Sequence, residues 1–282
     1  MIETLLAPLG YEFFVRALAA AALVGLVCAV VGSYMILRGL SYMGDAISHA
    51  AFPGVVAAYL VSGPFYVGAA IAAVLTALAI GWIGRRARLR SDTIIGVLFA
   101  GMFGLGVLMF SAIPTYVGDL FGFLFGDVLG IGVMDLVGLA VLGGIVLLIV
   151  AALWKQLLYA TFDPLGAGAS GLNVTALDYL FLAIIAMTIV VSLQAVGIIL
   201  VVAMLTTPAA TAQLLTVRFG RLMGLAAAIG IGTAIGGLYA SYFLDVASGA
   251  TIVVVQTLLF LAVLALGPRT GLIARMRQVR TA

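Results

Sequence analysis

The only histidine of the chain, His49, stands four residues after Asp45, inside the otherwise largely apolar stretch Arg38-Gly39-Leu40-Ser41-Tyr42-Met43-Gly44-Asp45-Ala46-Ile47-Ser48-His49-Ala50-Ala51-Phe52-Pro53-Gly54. On an α-helix a four-residue step advances about 6 Å and returns to nearly the same face. The spacing therefore predicts a carboxylate and an imidazole stacked one turn apart. An oxygen donor and an imidazole nitrogen on one face are ligand types suited to a divalent transition-metal ion. Two ligands do not close a coordination sphere, so water or a second copy of the pair from another subunit would have to complete it. The same two residues also fit a structural role, with Asp45 holding His49 in one tautomer within a packed core. Spacing alone leaves both readings open.

What must position this pair is a membrane-embedded scaffold. Of the 282 residues, 65% are hydrophobic and only 8% charged, more apolar surface than a water-soluble domain of this length could bury. Ionisable groups within such a scaffold are costly, usually face the protein interior and by default suggest a site. The 35 glycines suit close helix packing. Cys28 is the single cysteine, so no disulfide forms within the chain and the redox compartment is not readable. The start, Met1-Ile2-Glu3-Thr4, lacks a basic region and the following apolar run is too long for a cleaved leader, which predicts a mature polytopic protein.

Apolar runs recur at roughly 13–37, 41–61, 65–84, 93–112, 132–154, 174–193, 196–216, 222–244 and 250–267. Most approach the ~20 residues needed to cross ~30 Å of hydrocarbon. Arg38, the cluster Arg85, Arg86, Arg88 and Arg90, Lys155, the pair Arg218 and Arg221, and Arg269, Arg275, Arg277 and Arg280 follow alternate runs. If every run crosses, all five groups fall on one side, which is cytoplasmic by the positive-inside rule. The expected protein is all-α, a single multi-pass domain over residues 1–282 in the cell membrane, with an external N-terminus and a cytoplasmic C-terminus. No charge occurs from Leu180 to Val217, a stretch that reads either as two crossings turning at Gly197 or as one crossing plus a re-entrant piece. The expectation is eight or nine transmembrane helices.

Two connections stand out. Outside, residues 113–132 carry Asp119 and Asp127, with Gly118, Gly122, Gly126 and Gly130 every four residues, a small face for packing or for a gate. Inside lies Asp163-Pro164-Leu165-Gly166-Ala167-Gly168-Ala169-Ser170-Gly171. Asp163 suits a helix cap, Pro164 the first helical position and Gly171 the stop. A short cytoplasmic helix follows, whose small residues would let a partner protein approach closely. Asp245 closes an apolar run on the outer side as a solvated boundary residue, and Arg38 is expected to anchor the cytoplasmic interface.

The sequence contains no G-x-x-x-x-G-K-[ST], and its only lysine is Lys155, so ATP cannot be bound through a P-loop. There is no H-E-x-x-H and no nucleophile motif for an intramembrane hydrolase. Basic residues sit at membrane edges and nothing resembles a nucleic-acid module.

Four pieces together resemble the permease subunits of zinc/manganese/iron-type ABC transporters. They are Leu37 to Ala50, Phe162 to Gly171, Val196 to Leu205 with Pro208-Ala209-Ala210-Thr211-Ala212, and Ser241 to Gly249. The resemblance implies a type II importer-like permease, homodimeric or heterodimeric, embedded in lipid and coupled to cytoplasmic ATP-binding subunits. An extracytoplasmic solute-binding protein would deliver the ion. It implies metal coordination by Asp45 and His49, coupling to the ATPase through Asp163 to Gly171, no permanent cofactor, and manganese, zinc or iron as cargo. The ending His49-Ala50-Ala51-Phe52-Pro53-Gly54 is closer to manganese/iron-type members. The chain departs from the family at Ala247, where many members have proline, and at Gly166 and Gly168, where helix formers are commoner.

A secondary transporter using the same pair as a proton relay is the competing class, although it has no evident need of the short cytoplasmic helix. A structural assembly factor with no transport activity is a third.

Overall fold

The computed structural model describes residues 7–87, 89–113 and 128–266. After a 3₁₀ turn at Ala7–Gly10 come helices α1 (Glu12–Leu37), α2 (Met43–Leu60), α3 (Phe65–Arg86), α4 (Ser91–Ser111), α5 (Val133–Ala152), α6 (Trp154–Phe162), α7 (Pro164–Ala169), α8 (Val174–Leu215), α9 (Phe219–Leu244) and α10 (Ser248–Leu266). Among the described residues there is no strand. The connection expected at 113–132 lies mostly outside the described residues, as do Arg88 and the C-terminal arginines.

The helices follow the apolar runs to within a few residues, because in hydrocarbon each backbone N–H and C=O must be paired within its own segment. Eight described segments are long and apolar enough to span a bilayer: α1, α3, α4, α5, the two arms of α8, α9 and α10. The remaining long helix, α2, holds Asp45, Ser48 and His49 within 18 residues and falls outside that set. Its remaining surface is largely buried by protein, from Met43 through Ala58. The charge-free run resolves into two helical arms, Val174–Leu193 and Ala195–Leu215, broken at Gly197 (φ 75°, ψ 171°). That left-handed φ is one a side chain would strain, so the break falls on glycine. The fifth run divides where the sequence shows no breaker: α5 stops at Ala152 and α6 starts at Trp154, leaving Lys155 in the first turn of a separate short helix.

α1 and α8 form the centre. α8 packs on α1, α2, α3, α5, α9 and α10. The largest buried side chains include Phe14, Tyr34 and Met35 of α1 and Phe181, Ile185, Ile189 and Leu193 of α8. α2 lies against α3 and α4. The α2–α3 contact is backbone to backbone, since a Cβ placed on Gly54 would strike the Gly68 carbonyl and a Cβ on Gly68 would strike that of Gly54. Pro53, inside α2, has no N–H to offer the His49 carbonyl one turn earlier, which loosens the helix just beyond the pair.

Candidate metal site

α2 begins immediately after a tight turn through Gly39 (φ 68°), closed by bonds from Leu40 N–H to the Met35 carbonyl and from Met43 N–H to the Leu40 carbonyl, each 2.9 Å. Asp45 therefore occupies the first turn of α2 and His49 the second. Their side chains share one face as the spacing predicts, with His49 Nε2 3.6 Å from Asp45 Oδ1. That separation is too long for a hydrogen bond. No direct hydrogen bond therefore joins the two side chains, though the approach is within ion-pair range when the imidazole is protonated. The side chains are 28% exposed for His49 and 49% for Asp45, so the pair opens on the surface of this single chain.

α4 supplies the wall opposite. The rings of Phe99 and Phe103 stack on each other and present themselves to the His49 ring at 5.0 and 5.3 Å, nearly perpendicular to it. This edge-to-face packing fixes the imidazole plane without using its nitrogens. A cavity of about 280 Å³ beside the pair is lined by Tyr42, Asp45, Ala46, Asp92, Ile95, Gly96 and Phe99. Asp92 thus adds a second carboxylate to the space that Asp45 faces. The sequence reading missed it, although an acid directly ahead of an apolar run is a visible signal. Among the described residues, no cluster of three or more His, Cys, Asp and Glu side chains is placed to hold an ion. A larger cavity of about 650 Å³ between α2, α3 and α4 is lined almost wholly by apolar groups, among them Pro53, Ile71 and Met102, and offers no ligand chemistry.

Arg38, expected at the membrane edge, is more tied into the fold than its sequence neighbours suggest: its side chain is only 11% exposed and pairs with Asp178 of α8, Nη1 to Oδ1 at 2.9 Å. Asp178 Oδ2 accepts from Arg85 Nη2 at 2.6 Å, and Arg85 Nη1 donates to Thr175 Oγ1 at 3.1 Å. Arg38 Nε donates to Thr161 Oγ1 at 2.9 Å, and the guanidinium lies 4.5 Å from the centre of the Phe181 ring. Burial pulls this guanidinium below the usual arginine value, and the Asp178 carboxylate works against that shift. Asp178 escaped the sequence reading, since its partners are 140 and 93 residues away.

The Asp163–Gly171 connection folds as its residues predict. Asp163 Oδ1 accepts from the Gly166 amide at 2.8 Å, Pro164 occupies the first helical position and Gly171 takes φ 87°. Bonds from Leu172 N–H to the Ala167 carbonyl and from Gly171 N–H to the Gly168 carbonyl, both 3.1 Å, complete a Schellman stop. One expectation needs correcting: Ala167 is buried against the protein and is not part of a docking face, whereas Leu165 stands 86% exposed beside exposed Phe162 and Pro164. Asp245 is the exposed, left-handed cap of α9 (φ 52°), the boundary residue expected.

A profile of the ABC 3 transport family matches residues 10–267. The chain is 45% identical over 267 residues to the manganese transport system membrane protein MntC of Halalkalibacterium halodurans, covering 95% of this chain and 91% of that one. It is 42% identical over 280 residues to the chelated iron transport system membrane protein YfeC of Yersinia pestis, covering 99% and 95%. Its structure resembles PsaBC of Streptococcus pneumoniae, solved in complex with a Fab, with TM-score 0.86 and 34% identity over 99% of this chain and 100% of that chain. With eight bilayer-length apolar segments among the described residues and no phosphate-binding loop in its sequence, the chain belongs to the ABC 3 transport family, as a membrane permease subunit whose ATPase is a separate protein.

Proposed function

We propose that this permease carries a divalent first-row transition-metal ion into the cell, manganese in preference to iron, by alternating access driven by cytoplasmic ATP-binding subunits. The observation that carries this reading is the Asp45/His49 pair: side by side at 3.6 Å, not bonded to each other, and open to a further ligand. The manganese and chelated-iron systems named for its relatives support the choice of cargo. Zinc, the third ion the sequence left open, is named by neither of these two. Because this chain offers too few ligands, a second permease subunit facing the pair, or water, completes the sphere. α7 is the contact for the ATPase, and a solute-binding protein delivers the ion from outside. The C-terminus is cytoplasmic.

The test is uptake of radioactive manganese into proteoliposomes holding the permease, its ATPase and its binding protein. ATP-dependent accumulation that disappears in His49→Ala is the expected result. Accumulation driven by a proton gradient without ATP would support the secondary-transporter reading instead.

A further inference from the structure

Arg38 links α1 by its backbone to two further helices by its side chain, and through Asp178 to a fourth. It caps α1 at its C-terminal end. Its Nε reaches Thr161, two residues before the cap of α7, and its Nη1 reaches Asp178 on α8, which Arg85 ties to the end of α3. Thr161 is itself fixed, donating to the Leu157 carbonyl at 2.6 Å. Beyond Arg38 the chain has only the bonded turn through Gly39 before α2 and Asp45. A guanidinium holds its donors in one rigid plane, so a displacement of Thr161 rotates the fork as a unit. Its Nη2 is buried without an acceptor, which leaves a donor available for a second pairing when the fork turns.

We propose that Arg38 is the positioning residue that transmits movement of α7 to the Asp45/His49 pair, being bonded at once to Thr161 beside α7 and to Asp178 on α8, directly ahead of the turn that opens α2. This rests on the transport reading above. A plain membrane-edge anchor would need only a positive charge at this place. A transmitting residue needs the fork, and in particular the bond to Thr161.

Two variants separate these roles. Arg38→Lys keeps the charge and loses the fork; Thr161→Val keeps the shape and removes the acceptor. Each would be reconstituted with the ATPase and binding protein, and metal accumulated and ATP hydrolysed would be measured in the same vesicles. Manganese binding to the detergent-solubilised complex would be measured in parallel. The expected result is a fall of about tenfold in metal moved per ATP, the scale of one lost charge-assisted hydrogen bond, with manganese affinity and ATP hydrolysis unchanged. A ratio equal to wild type overturns the inference, and so does a loss of metal binding in step with the ratio, which is what a structural role predicts. If Arg38→Lys does not fold, Thr161→Val decides. Wild-type vesicles that hydrolyse ATP yet accumulate no metal overturn the transport reading and this inference with it; an accumulating wild type with unaltered variants overturns the inference alone.

Discussion

Leu165 and Ala167, two residues apart on the same six-residue helix, face opposite ways: Leu165 is 86% exposed and Ala167 fully buried. A large apolar side chain held out in solvent by a capped helix invites a cover. Leu165→Asp is expected to leave the melting temperature of the permease unchanged, since exposed substitutions usually shift stability by only ~0.5 kcal/mol. Co-purification of the ATPase should be lost. Ala167→Glu, by contrast, forces a charge into the protein and should lower expression whether or not the ATPase is present. Retention of the ATPase by Leu165→Asp would place the coupling contact elsewhere.

His49→Ala and Asp45→Asn should each abolish metal uptake while leaving expression and subunit assembly intact. Both side chains are partly exposed, and the losses for His49→Ala include ring contacts with Phe99 and Phe103 worth about 0.5–1.5 kcal/mol. Uptake assays beside size-exclusion profiles check this. Uptake at wild-type rates in either variant would remove the pair from the transport path.

Orientation is testable with single cysteines, because native Cys28 is fully buried and gives little background. Ser62, in the turn between α2 and α3, and Ser91, at the start of α4, are both exposed. In whole cells Ser62→Cys should react with an impermeant maleimide and Ser91→Cys should not. The reverse pattern would invert the topology.

Gly54→Val should destabilise the permease by about 1–3 kcal/mol, the usual range for overpacking, because the Gly68 carbonyl occupies the space a Cβ needs. Thermal unfolding in detergent measures it. The α2–α3 separation also sets where His49 sits, so manganese affinity should fall with it.

Much of this was written in local chemistry. Each apolar run announced a helix because bilayer thickness sets a length, and Asp163, Pro164 and Gly171 announced α7 because caps and stops act within a few residues. Asp45 and His49 were visible for the same reason, being one turn apart on one helix. The rest depends on which helices meet. Nothing near Arg38 in the sequence names Thr161 or Asp178, and nothing near Asp45 names Asp92. Ala167 was misassigned because a run of small residues is compatible with either face turning inward. The division at Leu153 left no mark either, since Leu153 and Trp154 carry no breaker chemistry.

The break at Gly197 has an energetic corollary. At that glycine the backbone leaves helical dihedrals, and any main-chain group left there without a helical partner would cost several kcal/mol in hydrocarbon. A helix so interrupted is better placed in surroundings made of protein. Around the break Leu193, Ala195, Val196 and Ile198 are buried, while Ile199 is 62% exposed. The kink at Gly197 thus favours a protein-lined position for most of the backbone around it.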